Sequence, residues 1–212
     1  MPSQSHHAFL DQLGSVDQLI TIHGRIQSGK GRRHEQDALH KAGVVMTVAA
    51  WQAYIEKIIR ETLNNIESGF YGPTATQTAP HWALHSFNLR RAEILGTVNK
   101  FNTPNTQNIQ RIFQEAFDFD PWPCWEWYRG PRKWNGHQTR VRTDSWVKIR
   151  HAIAHGYPLP DNMDFLQDKN GNARLNLTLL RECLNHFKHI ALQTDHSLRD
   201  YLENQYNIHS PW

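Results

Sequence analysis

The sequence predicts an all-α protein, a bundle of about five to seven helices with a loop insertion rich in tryptophan and arginine. Several long segments place apolar residues three and four positions apart, which is the period of a helix face. No segment alternates apolar and polar residues over several strands, as a half-buried sheet requires. The 212 residues carry a net charge of +3 and a mean hydropathy of −0.68. No apolar run reaches the length of a membrane span, so we expect no membrane partner.

Helical spacing and breaks divide the chain in order. The predicted helices cover about 7–25, 33–67, 82–101, 105–117, 139–155 and 174–206. One domain over 1–212 suits this length, and the polar segment 1–6 is predicted to be a disordered tail. The Gly-Lys-Gly sequence at 29–31 is interpreted as a turn, because it lacks the spacing and the preceding strand of a phosphate-binding loop. Proline, glycine and polar residues predict loops at 70–81 and 157–172.

The segment 118–137 contains three prolines and four tryptophans, which favours an irregular but ordered loop insertion. Trp122 and Trp125 are predicted to pack on the bundle, because tryptophan buries a large area. Interleaved aromatic and cationic residues also suit stacking on bases and pairing with phosphates. For four side chains, packing and nucleic-acid contact remain equal alternatives: Arg129, Arg132, Lys133 and Trp134.

Positive charge is concentrated before and within the predicted helix 139–155. From Arg129 to Arg150 there are seven lysines or arginines and one acid, Asp144. Such a local basic run is compatible with a polyanion partner. The two cysteines, Cys124 and Cys183, do not make a disulfide framework, so a reducing cytoplasm is the expected compartment.

The end of this helix carries the residues with the clearest chemistry. Gly156 suits a left-handed helix cap and Pro158 prevents continuation, which places His155 at the helix C-terminus. His151 and His155 are four residues apart and share a face. Arg150 lies about 140° from His155 around a straight helix. A guanidinium that grips phosphate beside an imidazole that moves a proton is typical of phosphodiester cleavage.

The sequence Arg150-His151-Ala152-Ile153-Ala154-His155-Gly156 resembles the R-x4-6-H motif of HEPN domains, helical proteins that are often endoribonucleases. A second segment, Pro104-Asn105-x-x-Asn108-Ile109-x-x-Ile112-Phe113, is similar to one upstream of this motif in the RiboL-PSP branch of these proteins. The order of helices also agrees, over about 33–206. Many HEPN sequences carry an acid in the middle of the long helix, where this chain has Gln52.

The resemblance implies a HEPN-like bundle and metal-independent RNA cleavage through attack of the 2′-hydroxyl, which leaves a 2′,3′-cyclic phosphate. Arg150, His155 and His151 are then the catalytic candidates. It also implies a homodimer with the motif helices at the interface, a toxin or defence role, and an antitoxin or immunity partner. No cofactor is expected. The candidate RNA-binding residues are Arg129, Arg132, Lys133, Trp134, Arg140, Arg142 and Lys148.

Two other interpretations of the motif are weaker or remain open. His151 and His155 have the spacing of zinc ligands, but Ala152 replaces the glutamate of H-E-x-x-H and no third ligand is evident, so no metal is expected. The alternative hypothesis is a catalytically inactive HEPN module that binds RNA, nucleotide or a partner protein. The intact Arg150 and His155 favour the nuclease, whereas Gln52 and the unusual loop insertion leave room for that alternative.

Overall fold

The computed structural model describes residues 1–26, 36–71, 81–128, 132–208 and 211–212. Six α-helices lie in these ranges: α1 Gln4–Ile26, α2 Asp37–Tyr71, α3 His81–Asn99, α4 Thr106–Phe117, α5 Gly136–Ala154 and α6 Leu177–Tyr206. Within the same ranges there is no strand, only two isolated bridges, so the predicted all-α class is confirmed. None of the six helices is long and apolar enough to cross a membrane.

Helix α2 is the centre of the bundle, since it packs against each of the other five helices. Apolar residues such as Val44, Val48 and Ile55 are almost completely buried. The ring of Trp51 contacts Trp125 from the loop insertion and Phe187 from α6. A helix that is apolar around most of its circumference is expected in the interior.

The first residues of the chain are anchored, which differs from the disordered tail predicted for 1–6. The backbone N–H and hydroxyl of Ser3 both donate to the buried carboxylate of Asp195 on α6. The N–H of His6 donates to the Ser3 hydroxyl at 3.0 Å, so Ser3 caps α1. The apolar pattern did not predict this anchor, because it consists of hydrogen bonds to a residue 192 positions away.

Helix boundaries differ from the predictions where caps or tertiary contacts intervene. Helix α2 continues past Gly69 to Tyr71, and Phe70 packs against Phe87 of α3 with ring centroids 5.2 Å apart. Helix α6 begins at Leu177, capped by the Asn176 side chain, rather than at 174. The predicted turn at 29–31 and most of the predicted loop at 70–81 lie outside the described residues.

Trp122 and Trp125 of the loop insertion pack on the bundle, as predicted. Trp125 is fully buried, and its indole N–H donates to the Thr194 hydroxyl of α6 at 2.8 Å. The Trp122 indole donates to the carbonyl of Thr106, the first residue of α4, at 3.1 Å. The loop therefore joins α4, α5 and α6 at the side of the bundle from which α5 begins.

Candidate functional site

Helix α5 begins and ends at well-defined caps. At its start, the Asn135 side chain accepts from the N–H of Gln138 and the Gln138 side chain accepts from the N–H of Asn135, which is a capping box. At its end, Gly156 adopts φ +70°, and the N–H of Tyr157 donates to the carbonyl of Ala152 at 2.8 Å. The left-handed glycine cap predicted from the sequence is therefore present.

Three aromatic rings cluster on the solvent side of this helix end. The ring centroids of His151 and His155 are 4.3 Å apart, and Tyr157 lies over His155 at 5.8 Å with an interplanar angle of 24°. All three residues are exposed, Tyr157 by 62%. Two imidazoles that face solvent at this separation are able to reach neighbouring atoms of one ligand.

Arg150 occupies the flank of the same helix rather than the histidine face. At about 100° per residue, Arg150 lies about 140° from His155, whereas His151 lies only about 40° from it. Arg150 is partly buried, and its buried Nε has no hydrogen-bond partner among the residues that the structure describes. It forms no ion pair with any described residue, so its guanidinium remains available to an anionic ligand.

Two of the predicted RNA-binding arginines instead converge on one carboxylate. Arg132 in the loop insertion and Arg142 on α5 both pair with Glu182 of α6, at 3.5 and 3.3 Å. The guanidinium carbon of Arg132 lies 4.1 Å from the ring centroid of Trp134, and that of Arg142 lies 3.6 Å from that of Phe165. Burial lowers the pKa of Arg142. These side chains hold the loop against the bundle, and contact with phosphate would compete with Glu182.

The other residues that were predicted to contact RNA differ in their exposure to solvent. Arg140 stacks on Trp122, with its guanidinium carbon 3.9 Å from the ring centroid. Lys133 is exposed and donates to the Tyr128 carbonyl at 3.1 Å, and Lys148 is exposed on α5. Arg129 lies outside the described residues. Of this set, Lys133 and Lys148 are the cations most open to solvent, and the RNA-binding assignments stay predictions.

Two other polar residues, one on α5 and one on α2, have structural partners. Asp144, the single acid in the basic run, accepts from the backbone N–H and the hydroxyl of Thr106, at 2.8 and 2.9 Å. A carboxylate at the first turn of α4 also complements the helix dipole. Gln52 of α2 donates to the Phe101 carbonyl and to Glu56. In the family pattern an acid is expected at Gln52, and here that position joins α2 to the connection between α3 and α4.

Beside the histidine cluster lies a cleft of about 480 Å³ that the sequence did not predict. Its lining includes Lys41 from α2, Tyr157 just after the helix cap, and Arg174 before α6. Tyr157 follows the motif directly, and this position is the sequence signal for it. Lys41 and Arg174 are more than 130 residues apart and no local pattern links them. Among the described residues, no group of three or more histidine, cysteine or acidic side chains is arranged to hold a metal ion.

The comparison with protein families agrees with the all-α fold. The RiboL-PSP-HEPN family model matches residues 13–204, which include all six helices except the first residues of α1 and the last of α6. The chain belongs to the RiboL-PSP-HEPN family. HEPN domains are all-α, commonly act as ribonucleases, and often bind RNA or dimerise. No curated protein and no solved structure matches the chain.

Proposed function

We propose that this RiboL-PSP-HEPN protein is a metal-independent endoribonuclease. The observation that carries the proposal is the end of α5, where the exposed His151 and His155 rings lie 4.3 Å apart and the Arg150 Nε has no hydrogen-bond partner in the described part of the chain. Solvent-facing imidazoles suit proton transfer near neutral pH, and an uncommitted guanidinium suits an oxyanion. Asp144 and Arg142, which are close in sequence, are by contrast committed to structural contacts.

The reaction is an internal transesterification of RNA. The 2′-oxygen attacks the adjacent phosphorus, the bond from phosphorus to the 5′-oxygen breaks, and a 2′,3′-cyclic phosphate and a 5′-hydroxyl result. His155 accepts the proton of the 2′-hydroxyl or donates one to the leaving oxygen. His151 is the second proton carrier or orients His155. Arg150 stabilises the additional negative charge that develops on the phosphoryl oxygens.

A homodimer with the motif helices at its interface would complete this site. Within one subunit Arg150 and His155 lie on different sides of α5, about 140° apart. The outer face of α5 exposes Val141, Lys148 and His155, which are seven residues apart and therefore aligned along the helix. Twofold packing of this face would create one shared cleft lined by both copies of the motif. Lys133 and Lys148 are then the first candidates for contact with the RNA backbone.

In the cell, such an activity suits a toxin or defence effector that acts in the cytoplasm. An endoribonuclease that needs no metal or cofactor is active whenever its site is open, so a cognate antitoxin or immunity protein would be needed to restrain it. Expression of the wild-type protein is expected to arrest growth, and His155→Ala is expected to relieve the arrest.

The direct test is incubation of purified protein with RNA in the presence of a chelator, followed by analysis of the product ends. We expect cyclic phosphate ends from the wild-type protein and loss of cleavage by about 10²-fold or more in His155→Ala and in Arg150→Ala. His85→Ala, which removes an exposed histidine of α3, is the matched control and should cleave normally. Products with a 3′-hydroxyl would refute the mechanism.

A catalytically inactive module that binds RNA, nucleotide or a protein is the second candidate. The separation of Arg150 from the histidine face within one subunit favours it, as does the structural engagement of Gln52. If the wild-type protein leaves both structured and unstructured RNA intact without metal and causes no growth arrest, the binding module is the better assignment.

A further inference from the structure

The cleft lies next to the C-terminal end of α5, which carries the catalytic candidates. Its lining continues from Ile153 on the last turn of α5 through Gly156 and Tyr157 to Pro158 and Leu159. His155 lies within this stretch, and its ring stacks on Tyr157. A ligand in the cleft is therefore adjacent to the imidazole that we assign to proton transfer.

The size and the walls of the cleft suit one nucleotide. Its volume of about 480 Å³ lies in the range of about 300–1,000 Å³ that is typical of small-ligand pockets. Apolar side chains, including Ile153, Leu159 and Ala173, form part of the wall. Tyr157 is 62% exposed and presents an aromatic surface of the kind on which nucleic-acid bases stack.

The charges of the lining favour an anion. Lys41 and Arg174 contribute two cations and Asp37 one carboxylate. Asp37 pairs with Lys41 at 2.6 Å, both side chains being about 40% exposed, so this ion pair is accessible to solvent. Arg174 is exposed, and its guanidinium forms no ion pair with the described residues. Arg174 is therefore the cation best placed to meet a phosphate.

We infer that this cleft binds a nucleotide that flanks the scissile phosphate, with its base stacked on Tyr157 and its own phosphate against Arg174. The inference rests on the proposed ribonuclease function and adds a substrate subsite to it. The subsite selects single-stranded RNA, because a base must be unstacked to lie on the tyrosine. It discriminates weakly between bases, because every base has a face that stacks.

Two probes distinguish the contribution of the base to binding from that of the phosphate. Both are eight-residue single strands that are fully 2′-O-methylated and so cannot be cleaved; one carries bases and the other is abasic throughout. Fluorescence anisotropy measures the Kd of each probe for the wild-type protein, Tyr157→Ala, Tyr157→Phe, Arg174→Gln and Arg181→Gln. Arg181 is an exposed arginine of α6 outside the lining of the cleft, which makes it the matched control for Arg174.

Each variant has a different expected result. Tyr157→Ala should weaken binding of the base-carrying strand about tenfold and leave the abasic strand unchanged, and Tyr157→Phe should restore the wild-type Kd. Arg174→Gln should weaken binding of both strands and reduce the slope of log K against log salt by about 0.7, which corresponds to one phosphate of a single strand. Arg181→Gln should match the wild-type protein with both probes.

The outcomes distinguish this inference from the nuclease proposal. If the wild-type protein cleaves RNA but Tyr157→Ala and Arg174→Gln bind both probes as the wild type does, the subsite is wrong and the nuclease stands. If binding depends on Tyr157 and Arg174 as expected but RNA is never cleaved, the cleft is a nucleotide-binding site, and the nuclease proposal falls together with the role of the cleft as a substrate subsite. If these variants keep their affinity for RNA and instead lose self-association, the cleft is a protein interface and the inference is overturned.

Discussion

At the scale of single residues, burial perturbs the pKa of three histidines that have no role in the proposed reaction. His6, His40 and His186 are 4%, 7% and 0% exposed. Burial lowers the pKa of each ring. At His186 the guanidiniums of Arg132 and Arg142 lower the pKa further. These three histidines are therefore held neutral.

We expect the free energy of unfolding to fall as the pH is lowered below about 6.5, where histidine titrates in an unfolded chain. Below that pH the unfolded chain takes up protons that the buried rings resist, so acid favours unfolding. Each such histidine lowers the free energy of unfolding by up to about 1.4 kcal/mol per pH unit in this range. Urea denaturation across a series of pH values measures the effect. His186→Gln should show a shallower dependence, and a flat profile for the wild-type protein would contradict the prediction.

At the scale of the helices, a single glycine allows α2 and α6 to approach closely. A Cβ atom at Gly43 would lie 2.6 Å from Cδ1 of Leu180, closer than packed carbon atoms approach. Leu180 is only 1% exposed and has little space into which to move. Gly14 in the middle of α1 is different, because a Cβ there would meet no atom within 4 Å.

The two glycines provide a matched pair of substitutions. Gly14→Ala should raise the free energy of unfolding by about 0.5–1 kcal/mol through helix propensity alone. Gly43→Ala gains the same propensity but overpacks the core, which costs about 1–3 kcal/mol, so we expect net destabilisation. Urea denaturation of both variants tests this. Equal stabilisation of the two would show that α2 and α6 are not packed so closely.

At the scale of the whole molecule, α5 contributes both to the core and to an exposed surface. Its inner side is buried at residues such as Trp146 and Ile149, which are fully enclosed. Its outer side exposes Val141 by 53%, in line with Lys148 and His155. One helix therefore holds the subunit together and presents the motif, as the proposed homodimer requires.

Sedimentation of the wild-type protein should show a dimer. Val141→Asp should raise the Kd of this dimer about tenfold or more, because it places a charge in an apolar contact. Cleavage of RNA should fall in parallel, although His155 and Arg150 are unchanged. The control is Leu89→Asp, which places the same charge at a 57% exposed apolar residue of α3 and should leave the dimer intact. A wild-type monomer at working concentration, or a Val141→Asp dimer of unchanged affinity, would contradict the proposed interface.

Helix types and order were predictable because they depend on local periodicity and on caps such as Gly156. The pairing of His151 with His155 was also predictable, since four residues make one helical turn. The anchoring of Ser3 by Asp195 and the convergence of Arg132 and Arg142 on Glu182 were not. These contacts join segments that are distant in the chain, and no local pattern encodes them.

The sequence by itself determined the all-α class, the family and the place where the candidate catalytic residues lie on their helix. Only the tertiary structure decided which cations are committed to the protein and which remain open to a ligand. It also brought Lys41, Tyr157 and Arg174 together around one cleft. The physical reason is that helix periodicity acts over a few residues, whereas the availability of a charge depends on every segment that folds against it.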